Sequence, residues 1–195
     1  MARTPAGHWV SPITLRDSLP VALTPEIKIR LFKERVLGWQ LDIALECMKI
    51  EHGGFGALHI AFSYFELIGR YREGDTGRYD AGVWFDKGFN HFAAFQGYAT
   101  KPHWTTVRAR LWQGARNGLY HIGMTSKHVF IQGQQPSMLA YEPTLDRVII
   151  DPEKLIGAMR DHFLDYIQIL EAGSDLTLRS HFLNKFNHDI LPQIR

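Results

Sequence analysis

The chain reads as mainly α: a four- to five-helix up-and-down bundle with a small β-hairpin or meander insertion. Three observations predict it. Apolar residues recur every three or four positions through most of residues 24–195. Thr24-Pro25-Glu26 and Asp151-Pro152-Glu153 carry the same helix-start signal: a capping oxygen, proline at the first helical position and an acid in the first turn. Only Val129-Phe130-Ile131 and Arg147-Val148-Ile149-Ile150 have the β-branched character of strands between turn residues.

Residues 1–23, with Pro5, Pro12 and Pro20, read as an N-terminal tail, and 24–195 as one helical domain. The first helix opens at Thr24. Its inward stripe is Phe32, Val36, Trp39, Ile43, Cys47 and Ile50, and Glu51-His52-Gly53-Gly54 ends it. The second begins near 55–57. It is apolar nearly all round (Leu58, Ala61, Phe62, Tyr64, Phe65, Ile68), the pattern of a central helix. Glu66 interrupts it, and a carboxylate in such a place requires a partner. A loop at 72–78 follows. The aromatic run Trp84, Phe85, Phe89, Phe92, Phe95 and Tyr98 sits on a short helix, as core or as a partner surface. A third helix spans 102–123, with Trp104, Val107, Leu111, Ala115, Leu119 and Ile122 inward. The β insertion occupies about 127–150. The fourth helix buries Leu155, Met159, Phe163, Tyr166 and Leu170 and stops at Gly173. Ser174-Asp175 caps a fifth, with Leu178, Phe182, Phe186 and Ile190 inward.

Composition narrows the function. With 195 residues, 45% hydrophobic and 12% aromatic, the chain has ample core for one domain. A net charge of +2 permits a nucleic-acid partner without demanding one. The single Cys47 excludes an intramolecular disulfide and a cysteine-rich zinc cluster. Neither a signal-peptide pattern nor a membrane-length apolar run is present, so the expected location is cytoplasmic and no membrane partner is expected.

The most informative stretch is Arg116-Asn117-Gly118-Leu119-Tyr120-His121 on the third helix. An arginine grips a phosphate through paired hydrogen bonds, and a histidine near neutrality moves a proton. Arg3 and His8 repeat the spacing, but in the tail, where nothing holds them. On a helical wheel of about 100° per residue, Asn117 and His121 share a face with Arg110 and Gly114, whereas Arg116 lies about 140° from His121. Gly118 and Gly123 allow a bend there. Arg108, Trp112, Arg116 and Tyr120 form a second stripe of cation and aromatic, suited to unpaired bases and phosphates or to cation–π packing at the core border.

The stretch resembles the Arg-x(4–6)-His signature of the HEPN superfamily, with the polar residue after the arginine that this pattern favours. The resemblance extends to helix order over roughly 25–190. It implies a helical bundle acting as a homodimer, two Arg/His pairs pooled in one cleft, and metal-independent cleavage of single-stranded RNA with no cofactor. Arg116, His121 and Asn117 are then catalytic, Glu66 and Tyr120 supporting, and Arg108, Arg110 and Trp112 RNA-binding. An antitoxin or effector protein is a further partner the resemblance allows. Members paired with nucleotidyltransferase antitoxins carry a tyrosine two residues after the histidine; Gly123 stands there, which puts that modification in doubt.

The alternative function is a non-catalytic dimerisation or nucleic-acid-binding module built from the same residues. A metal enzyme would draw on Glu51 and His52, on His162 with Asp161 and Asp165, or on His181 and His188, none at a zinc-site spacing such as His-Glu-x-x-His. A serine or cysteine hydrolase lacks Gly-x-Ser-x-Gly, and Cys47 falls in a core stripe.

Overall fold

In a computed structural model, which describes residues 8–77 and 80–194, the segment expected to be a tail forms regular elements between residues 9 and 18. Strands β1 (Trp9–Ser11) and β2 (Thr14–Leu15) form an antiparallel hairpin. Val10 and Ser11 are buried, and the Ser11 and Thr14 hydroxyls both donate to Glu34 Oε2, at 2.5 and 2.8 Å. Their shared partner lies 23 and 20 residues downstream, so a local reading of the prolines sees only a tail. Arg3, Pro5 and, in the 72–78 loop, Arg78 lie outside the described residues.

Thr24 caps helix α1 (Pro25–Val36) as its sequence predicts, its hydroxyl accepting from the Ile27 N–H at 3.4 Å. The helix does not continue as α. It passes through a π-helical turn, Leu37–Leu41, into α2 (Asp42–Cys47). A π turn inserts one residue into the ladder and rotates everything after it. Phe32 and Val36 face the core as expected, but Leu41 and Ala44 then take the inward positions. Trp39, Ile43 and Ile50, assigned to the stripe from their spacing, are exposed, and Cys47 is half-buried.

Helix α3 (Gly54–Glu73) is the central element, buried on nearly every side from Ala57 to Tyr71. It runs into the segment expected as a loop and ends at Gly74, whose φ of 66° is the left-handed cap that glycine accepts freely. Helix α4 (Ala81–Phe95) packs along it, with Trp84, Phe85, Phe89 and Phe92 buried. The aromatic run is therefore core rather than surface, Phe95 alone being exposed among its phenylalanines. The two helices meet at glycine: a Cβ on Gly88 would lie 1.8 Å from the Phe65 carbonyl oxygen.

The third predicted helix is also interrupted: α5 (Trp104–Arg110), a second π turn (Leu111–Arg116), then α6 (Asn117–Ile122), closed by Gly123 at φ 69°. Val107, Leu111, Ala115 and Leu119 face inward as expected, Trp104 is half-buried, and Ile122 is exposed. The β insertion holds three strands, β3 (Val129–Ile131), β4 (Leu139–Glu142) and β5 (Arg147–Ile150), in the order β3-β5-β4. The hairpin is made by β5 with β4, a strand that the β-branched pattern does not mark. β3 pairs with β5 in parallel, Val129 opposite Val148 and Ile131 opposite Ile150, so the sheet is not a meander. Asp151 caps α7 (Pro152–Ala172), accepting from Lys154 N–H at 3.1 Å, and the predicted stripe from Leu155 to Leu170 is fully buried. Asp175 caps α8 (Leu176–Asp189) in the same way, and a short α9 (Leu191–Ile194) follows. The protein is a mainly α bundle with small β additions. Among the described residues, no helix is long and apolar enough to cross a membrane.

Candidate functional site around the second π turn

Arg116 ends the second π turn and points back at α3. Its Nε donates to Glu66 Oε1 at 2.7 Å, with side chains only 14% and 18% exposed. The carboxylate that needed a partner in the apolar helix thus has one. The guanidinium also lies over two rings, 5.0 Å from the centroid of Trp112 and 4.4 Å from that of Tyr120. Nη1 donates to Asn117 Oδ1 at 3.3 Å. One charge is thus held by a carboxylate, an amide oxygen and two rings.

His121 goes the other way. It is exposed in the last turn of α6, and among the described residues no hydrogen bond or ion pair engages it. The wheel argument holds here, because Arg116 ends the π turn and the chain from Asn117 to Ile122 is regular α. Within one chain the two side chains do not converge. Gly118 does not bend the helix to bring them together. It lets the returning chain approach: a Cβ there would sit 2.4 Å from the Met124 carbonyl oxygen. Gly114 acts likewise one turn earlier, 2.4 Å from Ser126 Oγ and 2.7 Å from Val129 Cγ2 for the same hypothetical Cβ. Its carbonyl accepts from Ser126 N–H at 2.9 Å, stitching the π turn to the loop before β3.

The remaining predicted site residues divide. Tyr120 joins the site: it covers Arg116 on one side and stacks on His59 on the other, at 4.5 Å and 15° between planes. Trp112 is half-buried against Phe85, 5.1 Å between centroids, and packs under Arg116. Arg108 leaves the ladder for Asp86 on α4, at 3.5 Å. Arg110 reaches the tip of the β4–β5 hairpin, where both its Nε and Nη2 engage the Asp146 carboxylate. That bond, then the one from the Tyr141 hydroxyl, holds the Asp146 carboxyl below its ordinary range. Arg108 and Arg110 thus serve ion pairs within the fold, and a phosphate would have to compete for them.

His59 was not found from the sequence, although its position carries a signal: it precedes Glu66 by seven residues, two turns along the same face of α3. With Phe55, Gly56, Ile60, Leu119 and Gly123 it lines an open groove of about 360 Å³ beside the motif. Phe55, Tyr120, Ile122 and Met124 expose apolar surface around this end of the molecule.

Of the other candidate ligand groups, His162 is buried and shares a 2.6 Å hydrogen bond through Nδ1 with the Tyr64 hydroxyl. His181 Nδ1 bonds the Arg72 carbonyl at 2.7 Å, and His188 contacts Asp189. Among the described residues, no three His, Cys, Asp or Glu side chains gather as a metal site. Compared with known proteins, the chain matches no family model, no curated protein and no solved structure.

Proposed function

We propose that this protein is a metal-independent endoribonuclease of HEPN type, acting on single-stranded RNA in a cleft between two copies of the chain. The observation that carries the reading is the stacked ladder Trp112–Arg116–Tyr120–His59, pinned by Glu66, on the same short helical stretch as an exposed, unengaged His121 that points away from it. A rigid cation flanked by rings suits a phosphate between unstacked bases. The exposed apolar residues around the ladder favour a second copy of the same end, and a two-fold axis there would set each His121 against the other copy's Arg116.

In this cleft one His121 takes the proton of the ribose 2′-OH as its oxygen attacks phosphorus. The P–O5′ bond breaks, and the second His121, protonated, gives its proton to the leaving 5′ oxygen. Arg116 stabilises the charge on the pentacoordinate phosphorus, and Asn117 contacts the phosphate or orients the imidazole one turn on. The products are a 2′,3′-cyclic phosphate and a 5′-hydroxyl, and DNA resists.

One observation favours a second reading, a non-catalytic dimerisation or RNA-binding module. The Arg116 guanidinium is already committed to Glu66, Asn117 and two rings. Cleavage of a labelled single-stranded RNA in EDTA, wild type beside His121→Ala, separates the two. The nuclease reading expects cyclic-phosphate ends from wild type and a loss of about 10²–10⁴-fold in the variant. Equal cleavage by both removes His121 from the chemistry. RNA binding without cleavage by either leaves the second reading.

A further inference from the structure

A cavity of about 400 Å³ lies between α1, α3 and the α8–α9 junction, and none of its lining residues belongs to the Arg116/His121 helix. Its volume falls within the range of small-molecule sites. Three features of its wall point to a ligand.

The first is charge without a counter-charge. Arg35 and Arg70 both line the cavity. Arg35 Nη1 donates to the Val10 carbonyl at 2.9 Å, and its guanidinium lies over Trp39. Arg70 lies over Trp84 at 5.7 Å. Among the described residues neither has a carboxylate partner. Asp189, the one acid on the wall, is already taken on both oxygens: Lys185 Nζ is 3.1 Å from Oδ2, and His188 Nδ1 is 2.8 Å from Oδ1. Two cations thus remain uncompensated, a match for a phosphomonoester, which carries between one and two negative charges at neutral pH.

The second is aromatic surface. Trp39 sits in the first π turn and is 40% exposed at the cavity, with Arg35 5.0 Å from its centroid. Phe32 and Tyr71, their centroids 4.1 Å apart, form the floor. Planar rings stack on such surfaces, and a guanidinium above the indole strengthens the sandwich.

The third is an unspent hydroxyl. Tyr71 is 4% exposed, and among the described residues its Oη has no hydrogen-bond partner. The hydroxyl is open to the cavity and free to donate to a bound group. Burial holds its pKa far above neutrality, so it offers a proton to an anion.

We propose that this cavity binds a nucleoside monophosphate, with the base on Trp39 and the phosphate between Arg35, Arg70 and the Tyr71 hydroxyl. The site is independent of the proposed cleft. Isothermal titration calorimetry of the full chain with AMP, GMP, CMP and UMP tests it, with adenosine and inorganic phosphate as probes of the halves. At least one nucleotide should bind at least tenfold tighter than either half. Arg70→Gln should weaken it tenfold or more, and Tyr71→Phe, which removes one oxygen and keeps the packing, about threefold or more. Both variants should melt with wild type in the absence of ligand. Binding of no nucleotide at millimolar concentration, binding of phosphate as tight as any nucleotide, or affinities unchanged in both variants would each overturn the assignment. The readout is binding alone, so neither result depends on whether the chain cleaves RNA.

Discussion

The two π turns use one backbone device for different ends. Each inserts a residue into a long helix, and each carries a glycine against which a distant segment closes. Pro12 of the hairpin sits over Gly38, where a Cβ would be 2.6 Å from its Cγ; Ser126 and Val129 sit over Gly114. They differ in how their charges are settled. At the second turn Arg116 is paired, stacked and nearly enclosed. Beside the first, Arg35 of α1 and Arg70 of α3 line a cavity with aromatic walls and no free carboxylate. On the two proposals above, the settled turn would hold Arg116 in place for RNA, and the cations beside the other would be met by a ligand. π turns recur at functional sites in proteins generally.

Three measurements bear on that contrast. The largest effect belongs to neither turn and sets the baseline for both. Burial, then the positive charges of Arg72 and His91, push the His162 pKa from 6.5 down to about 3. A histidine held neutral when folded loses stability as acid is added, because the unfolded chain takes up the proton first. Stability should be level above pH 6.5 and fall below it, by up to about 5 kcal/mol near pH 3. Half-buried His91 adds in the same direction. Urea unfolding from pH 8 to pH 4 should show this slope, with most of it gone in His162→Gln. A slope that survives would place the titrating group elsewhere, and the turns would be the next regions to search.

The next effect tests whether the second turn is truly settled. Glu66→Gln leaves Arg116 charged and mostly buried without its counter-ion, and should cost about 1.5–3 kcal/mol of unfolding free energy. The joint variant Glu66→Leu with Arg116→Met should recover much of that loss. If Glu66→Gln is neutral, the two turns do not differ in the way described.

The smallest effect compares the glycines. Gly114→Ala drives a methyl into Ser126 and Val129 within a stitched turn, and should cost about 1–3 kcal/mol. Gly38→Ala meets only the Pro12 ring, at the tip of a two-stranded hairpin that can shift, and should cost less. Thermal melts of the pair decide it, and the reverse order would mean that the hairpin is the more rigid clasp.

Much of this was legible in the sequence, for physical reasons that differ by element. Caps are local chemistry, so Thr24, Asp151 and Asp175 announced their helices, and the stripe from Leu155 to Leu170 needed only periodicity. Glu66 announced that it required a partner, and Arg116 supplied it. What escaped depends on distant residues. A π turn has no period of its own, and the first one moved Trp39 and Ile43 out of the core while the spacing still read as one stripe. The hairpin is fixed by Glu34, Arg110 is claimed by Asp146, and His59 enters the site only because Tyr120 turns towards it. Arg35 and Arg70 share a cavity through the crossing of two helices, which no motif records.

The parallel pairing of β3 with β5 also orders events in time. An antiparallel hairpin such as β4–β5 closes through a short turn. A parallel pair cannot, and the chain between its strands must first be laid down. β3 is thus expected to pair after that hairpin, whereas the Ser126 bond to Gly114 spans only twelve residues and needs neither strand. Of the two neighbours of Gly114, Ser126 is expected to close on it early and Val129, as part of β3, to settle late, after the larger loop has closed.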